Sequence, residues 1–398
     1  MNPKTFKYDV LVVGAGPAGS MAANTVARRG LSVLLIDKKK SIGERPHCGE
    51  FIPERLLTEF DLARRIVQQR VDSMQTLVFN DDVAHRDTVR RRILHEFGAN
   101  ITVTVDIEGQ ALSGPKETSA AEILTPSPGY MIDRQLLDLD LAKRAAQKGA
   151  VVISGAKLDR FDGRRSIIKY RSHEITVEST VIIAADGPNS GIAQRISPVR
   201  PDFLVGVQCQ APLVKRLDRT IIFFSKAITY GYGWLFPKGL SANLGLGMFP
   251  IKESRPIELL DFFSGLFRDR GLIKPGIFSR SKGLIPVSGL RNQLVDRNVA
   301  LVGDAAGLTH PITGAGVPQA MVSGELAGNA AVDAIEANDM NLLKNYETNI
   351  RELYSGVLNH AKDKRRLMTD LWSGTDMDSI CSETWIAFRG YRKRVRNR

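Results

Sequence analysis

An α/β fold is predicted for this chain: a Rossmann-like domain built from discontinuous pieces, an antiparallel β-sheet domain between those pieces, and a helical C-terminus. Three observations carry that expectation. Residues 8–37 read as strand, glycine turn, helix, strand and terminal acid. Apolar runs that break at glycine recur far downstream, in VIIAADG (181–187) and NVALVGDAAG (298–307). Residues 200–290 hold alternating and aromatic segments (IIFF, YGYGWLFP, ANLGLGMF) that suit antiparallel strands.

The first unit is the most specific. Val10 to Val13 form a short apolar run suited to a parallel strand buried on both faces. Gly14, Gly16 and Gly19 follow as G-x-G-x-x-G. The first allows a tight turn, the second lets backbone N–H groups approach a pyrophosphate, and the third lets helix and strand pack closely. The helix then points its positive end at that pyrophosphate. Leu31 to Ile36 form the next strand, and Asp37 at its end can accept both hydroxyls of an adenosine ribose. A bound dinucleotide follows, without distinguishing NAD from FAD.

Residues 53–70 read as helical and basic, and 71–125 as short β-like runs. Within 130–150, Ile132, Leu136, Leu139, Ala142 and Ala146 can share one helix face, with Asp133 as N-cap and Gly149 as the stop. Residues 151–158 read as one strand, SIIKY and EITVEST as a hairpin, and 181–187 as a further strand. A helix rich in small residues is expected over 314–336, and helices carrying Trp372, Trp385, Phe388 and Tyr391 over 341–398. The expected nucleotide domain therefore comprises 1–75, 126–198 and 295–340, the sheet domain 76–125 and 199–294, and the helical region 341–398.

Composition narrows the rest. A chain of 398 residues calls for two or three domains. No apolar run reaches the ~18–20 residues a bilayer span needs, and the first apolar run leads straight into the glycine turn, so a cleaved signal is not expected. Cys48, Cys209 and Cys381 are the only cysteines, which argues for a reducing compartment and excludes an internal four-cysteine iron–sulfur cluster. No metal site is expected. Six of the +12 net charges fall in the last ten residues, RGYRKRVRNR. These read either as a solvated tail or as attraction to an anionic membrane surface; nucleic acid is disfavoured because no nucleic-acid-binding motif accompanies them. The expected location is cytoplasmic, peripheral to a membrane at most.

GAGPAG with Asp37, ADGPNSGIAQR (185–195) and LVGDAAGLTHPITGAG (301–316) together resemble the flavoprotein superfamily of para-hydroxybenzoate hydroxylase, squalene epoxidase and geranylgeranyl reductase. Two further blocks, His47-Cys48-Gly49 and YGWLFPKG (232–239), resemble the geranylgeranyl reductase family. The resemblance runs from about residue 8 to 340, dense in these blocks and diffuse between them. It departs from the family at Thr229, where a proline is usual, and at Gly314-Ala315-Gly316-Val317, where the family has a glutamate in second place.

The resemblance implies FAD as cofactor, held by Gly14, Gly16, Ala18, Gly19, Asp37, Lys38, Cys48, Gly49, Arg134, Leu158, Gly303, Asp304, Gly316 and Val317. Asp304 would meet the ribityl chain, a polyol that NAD lacks. The implied reaction saturates C=C bonds of a polyprenyl (geranylgeranyl) chain on a lipid or related isoprenoid, by hydride from the reduced flavin and a proton from elsewhere. An isolated alkene accepts hydride poorly, so a proton donor is needed, and Cys48 is the catalytic candidate; an ordinary thiol, with pKa ~8.5, is mostly protonated at neutral pH. From spacing alone Cys48 is equally a small buried hydrophobe.

Tyr232, Trp234 and Phe236 share one strand face, as packing residues or as the wall of an apolar substrate tunnel. With one G-x-G-x-x-G, there is no second nucleotide domain. Electrons would arrive from a transient donor, NAD(P)H or a ferredoxin-like protein. The alternative activity is an FAD-dependent monooxygenase acting on an aromatic or apolar substrate; a halogenase lacks its W-x-W-x-I-P run here.

Overall fold

The computed structural model describes residues 5–44, 47–79, 104–105, 120–252 and 254–395. The described elements begin with β1 (Thr5–Val13), α1 (Pro17–Arg28), β2 (Val33–Asp37), β3 (Phe51–Pro53), α2 (Glu54–Glu59), β4 (Val67–Phe79), β5 (Thr104–Val105) and β6 (Ala120–Ile132). There follow α3 (Arg134–Gln147), β7 (Val151–Ser154), β8 (Ala156–Asp162), β9 (Arg165–Tyr170), β10 (His173–Ala184), α4 (Gly191–Ile196), β11 (Phe203–Pro212), β12 (Arg219–Ser225), β13 (Tyr232–Lys238) and β14 (Ser241–Met248). The chain continues through α5 (Pro256–Asp269), β15 (Ser279–Pro286), β16 (Val295–Asp296), β17 (Val299–Leu301), α6 (Val317–Glu336), α7 (Lys344–Leu371) and α8 (Met377–Thr384). Two compact units result. One holds Met1–Pro46, Asp133–Asp202 and Pro286–Ala361; the other holds His47–Ile132, Phe203–Ile285 and Lys362–Arg398.

In the first unit the sheet runs β16-β17-β10-β1-β2-β7, with β9 added to β10 and β8 to β9. β1 lies between β2 and β10 and is parallel to both, with Val10 opposite Val33 on one side and Val181 on the other. Val10, Leu11 and Val12 are fully buried, as expected of a central parallel strand. α6 packs on α1 through small residues: a Cβ at Gly324 would strike the Ala18 carbonyl oxygen, and one at Gly328 would come within 2.9 Å of the Thr25 Cβ.

Three expectations here are corrected. EITVEST and VIIAADG are not separate strands: β10 runs unbroken from His173 to Ala184, pairing antiparallel with β9 over its first half and parallel with β1 from Thr176 to Ala184. Residues 151–158 are not one strand. Gly155, at φ +70°, breaks them into β7, parallel to β2, and β8, antiparallel to β9.

The buried face of α3 is also rotated. Leu136 and Ala146 are exposed, whereas Leu137, Asp138, Asp140, Leu141, Ala142 and Ala145 are buried. Two acids on the buried side are tolerated because Arg134 pairs with Asp138 at 3.0 Å and Arg144 with Asp140 at 3.2 Å. Ile132 belongs to β6. The ends of α3 are as read: Asp133 caps Leu136 N–H, and Gly149 turns the chain at φ +106°.

In the second unit the sheet runs β15-β11-β14-β13-β12-β4-β6-β3, with β5 beside β6. It is not wholly antiparallel: β12 runs parallel to β4, with Ile222 opposite Thr76. Of the 53–70 segment, only α2 is α-helical; a short 3-10 turn follows, and from Val67 the chain is strand.

The sequence reading also missed α5. Leu260, Phe263 and Phe267 line its buried side and cover one sheet face together with Phe223, Leu235, Leu244 and Leu246. Phe223 is fully buried, with the Phe263 ring 4.7 Å and the Phe267 ring 5.1 Å away. Phe223→Ala should lower unfolding stability by about 3–5 kcal/mol, measured as a shift in urea midpoint at unchanged slope.

The C-terminal stretch is tied down rather than frayed as far as Arg392. Residues Arg389–Arg392 form a 3-10 turn, and the buried Lys364 donates to the Gly390 carbonyl at 2.7 Å. The cations Arg396 and Arg398 lie outside the described residues. Among those described, no helix is long and apolar enough to cross a membrane.

Candidate cofactor and substrate sites

The glycine turn of the first unit has the backbone that its spacing requires. Gly14 sits at φ +106°, and a Cβ there would strike the Ala185 carbonyl oxygen. A Cβ at Gly19 would run into the Gly14 carbonyl oxygen. Gly16 is the opposite case: a Cβ there meets nothing within 4 Å, so its outer side is open. Gly16 is the N-cap of α1 and carries no side-chain cap, which leaves the first N–H groups of the helix to an external acceptor. Asp37 holds this turn, its Oδ2 accepting Ala15 N–H and its Oδ1 accepting Lys39 N–H, both at 2.8 Å. Lys38 is exposed beside it.

The third glycine segment comes to the same place. A Cβ on Gly303, at φ +57°, would sit 3.1 Å from the Ala18 Cβ. Asp304 follows, with Thr309 Oγ1 donating to its Oδ1 at 2.6 Å. A Cβ on Gly316 would approach that same Asp304 Oδ1 to 3.4 Å. Gly316 caps α6, again with no side-chain cap, and Val317 opens the helix. Burial pushes the Asp304 carboxyl up from its ordinary value, against the Thr309 hydrogen bond and the Arg134 charge.

Arg134 therefore stands in reach of Asp304's field, but its guanidinium is committed to Asp138, to both of whose oxygens Nη2 donates, at 3.0 and 3.2 Å. Leu158 lies on β8 opposite Ile168, just before a register irregularity. Gly14, Gly16, Ala18, Gly19, Gly303, Asp304, Gly316 and Val317 are thus brought together. Leu158 lies on β8, at the edge of the same sheet, and packs against the core of this unit.

In the second unit β13 presents two unlike faces. Leu235 is fully buried among the α5-facing residues, while Tyr232, Trp234 and Phe236 share the other side. Trp234 is buried, its Nε1 donating to Gln208 Oε1 at 2.9 Å, and a Cβ on Gly245 would overlap the indole at 2.5 Å. The Tyr232 ring lies 5.2 Å from that of Trp385, tilted by 50°, and burial pushes its hydroxyl far above its ordinary value. A Cβ on Gly49 would lie 2.7 Å from the Phe236 ring. The His47-Cys48-Gly49 loop therefore lies over the aromatic face of β13, with the His47 ring 6.4 Å from Trp234 and Nδ1 3.4 Å from Ser281 Oγ.

Sequence reasoning missed Glu50. It is buried, it donates its N–H to Cys48 Sγ at 3.2 Å, and its Oε2 receives Lys238 Nζ at 2.7 Å and Asn243 Nδ2 at 2.6 Å. The only signal was Lys238 in YGWLFPKG, since nothing local names its partner. The described residues hold no cluster of histidine, cysteine or acid suited to a metal ion.

His47 and His310 are half-buried and held neutral, each lowered by desolvation to about 4; the His360 charge adds to the effect at His310. His310 uses Nδ1 to accept the N–H groups of Ile312 and Thr313. The unfolded chain protonates these rings near pH 6.5, the native chain only near 4. Their neutral-state stability is therefore present above about pH 6.5 and is lost as pH falls toward 4, by up to about 3 kcal/mol each. Urea midpoints should fall across this window, and His310→Asn should flatten the fall.

Comparison with known proteins places these observations in context. An FAD binding domain model matches residues 7–205, and a lycopene cyclase protein model matches 264–374. The digeranylgeranylglycerophospholipid reductase of Methanocaldococcus jannaschii is 33% identical, aligned over 94% of this chain and 89% of its own length. That of Methanosarcina mazei is 31% identical over 85% and 78%. Among solved structures, a geranylgeranyl bacteriochlorophyll reductase-like protein from Thermoplasma acidophilum superposes with a TM-score of 0.72 at 25% identity, over 96% of this chain and 97% of that one. A flavin-dependent brominase shares the fold at a TM-score of 0.65 and 18% identity, over 92% and 87%.

Proposed function

Because the chain belongs to the digeranylgeranylglycerophospholipid reductase family of FAD-binding proteins, we propose that it saturates carbon–carbon double bonds of geranylgeranyl chains on a lipid. The observation that carries this reading is the match to these reductases along nearly the whole chain, through both the glycine-turn unit and the sheet unit.

The residues present fit FAD. Open space beside Gly16 at the uncapped start of α1 suits a pyrophosphate, and the half-buried Asp304 carboxylate suits the hydroxyls of a ribityl chain. Asp37 would hold the adenosine ribose. Its two oxygens are already oriented by Ala15 and Lys39, and each keeps a lone pair for a hydroxyl. Gly316 and Val317, at the uncapped start of α6, would face the cofactor with N–H donors. When bound and reduced by an external electron donor, the flavin would supply hydride to one carbon of the alkene.

The chain's own part is the proton and the exclusion of water. Cys48 Sγ is the proposed proton donor to the other carbon. Tyr232, Trp234 and Phe236 are proposed to line the prenyl chain's path, an apolar face that strips water from the alkene. Each bond saturated takes up two electrons and two protons. A nicotinamide or ferredoxin-like donor is proposed as the electron source, and an anionic membrane surface as the partner of the basic C-terminal stretch.

The test is anaerobic. The purified flavoprotein, reduced with dithionite, should be reoxidised by geranylgeranyl lipid, with product mass rising by two hydrogens per bond. Reoxidation only on admitting oxygen, with a hydroxylated product, would replace this reading with the monooxygenase. Cys48→Ser should lower turnover by about 10²-fold while leaving flavin content unchanged, read by stopped-flow reoxidation and by absorbance.

A further inference from the structure

We propose that Glu50, with Lys238 and Asn243, is a positioning device for the Cys48 thiol; this rests on the reading of Cys48 as proton donor given above. Two donors converge on the single Oε2 atom of Glu50, Lys238 Nζ at 2.7 Å and Asn243 Nδ2 at 2.6 Å. Asn243 Nδ2 also reaches the Gly49 carbonyl at 3.5 Å, and the Glu50 carbonyl accepts Ile132 N–H at 2.8 Å. The loop is thus fastened on both sides of its backbone.

The ion pair is buried, with side-chain exposures of 10% for Lys238 and 11% for Glu50. A pair in such a place gains little over an apolar substitute of similar volume. Stability alone therefore does not explain it, and its position gives a better account. Glu50 sits at φ +70°, a left-handed conformation that a non-glycine residue adopts only under constraint. That conformation directs its N–H at Cys48 Sγ, 3.2 Å away. A sulfur that accepts this N–H keeps its own proton out of that direction. The carboxylate anchor holds the backbone in the shape that sets the thiol.

Among the described residues, several titratable and charged groups bear on this thiol. His47 is held neutral, and Tyr232 is held as the phenol within electrostatic range of Cys48. Arg365 acts on Tyr232 in turn, and Glu50 pairs with Lys238 at 2.7 Å.

Glu50→Gly separates the anchor from the backbone conformation, because glycine accepts the same φ without strain. The readout that needs no turnover is iodoacetamide alkylation of Cys48, followed by intact mass from about pH 6 to about pH 10. Cys209 and Cys381 are buried with their thiols pushed up, and Cys48→Ser supplies the blank. In Glu50→Gly the alkylation midpoint should move by roughly half a pH unit or more, and kcat should fall about 10–100-fold with KM within about twofold. Glu50→Gln, which keeps an oxygen for Asn243, should recover part of both.

A Glu50→Gly protein that matches the parent in alkylation and kcat would overturn the proposal. If that variant does not fold, the uncharged pair Glu50→Gln with Lys238→Met decides. Parent-like alkylation and kcat there would reduce the ion pair to packing, whereas a shifted profile upholds the device. Were the parent inactive on prenyl lipid yet showed the same alkylation shift, the functional reading would fail and the thiol-setting role would stand.

Discussion

Gly19→Ala is expected to yield a chain that retains no yellow cofactor and unfolds at least ~3 kcal/mol more easily than the parent. The added methyl has no free volume. It would overlap the Gly14 carbonyl oxygen and lie 3.0 Å from the Ala185 Cβ, so α1 must lift from β1 or the turn must deform. Either movement displaces the N–H groups that face the pyrophosphate. The control is Gly30→Ala, at a residue with φ +86° whose added Cβ meets nothing within 4 Å. That variant should lose only about 1 kcal/mol, from backbone strain, and keep its flavin. Absorbance near the flavin band and thermal melts of both proteins check the contrast. A yellow, stable Gly19→Ala protein would contradict the assignment of this turn to the cofactor.

Asp304→Asn should produce two effects of opposite sign. Burial raises this carboxyl in the folded chain, so the native state binds its proton more tightly than the unfolded state does. Stability from that group is therefore present at acid pH and is lost as pH rises from the unfolded value, ~3.9, through the raised folded one. At neutral pH the cofactor-free protein carries a half-buried, desolvated negative charge as a cost, which asparagine removes. The apoprotein of the variant should melt at or above the parent's temperature. Its FAD affinity should fall about 30–100-fold, because the hydroxyls of the polyol lose a charged acceptor worth ~2–3 kcal/mol. Titration of apoprotein with FAD, beside melts of the same samples, measures both. A variant with parental affinity would remove Asp304 from the site.

How legible the chain is depends on how far apart the cooperating residues are. The glycine turn, Asp37 and the Asp304 segment are local patterns whose geometry follows from spacing, and the structure gathers them in one unit. The face of α3 was misread because pattern reasoning places charged residues outside, whereas Asp138 and Asp140 are inside with arginines four residues away. β10 was divided in two because it opens on exposed His173 and Glu174 and closes on the buried apolar run Val181–Ala184, with Ser179 and Thr180 between, although the backbone runs straight through. Glu50 was invisible for a different reason. Its partners Lys238 and Asn243 are 188 and 193 residues away, set close to each other by the β13–β14 pairing, which no local pattern around Glu50 announces.

The bare seam between α1 and α6 has one more consequence. Where Gly324 and Gly328 let two backbones touch, no side chain can be trimmed or swung aside to absorb an error in distance. The seam works as a fixed gauge between two electropositive helix starts, one at Gly16 and one at Gly316. Bulk added anywhere along it, even many ångströms from the cofactor, would reset the gap that an extended dinucleotide has to bridge. Drift in this sequence is therefore least affordable at positions that never touch a ligand.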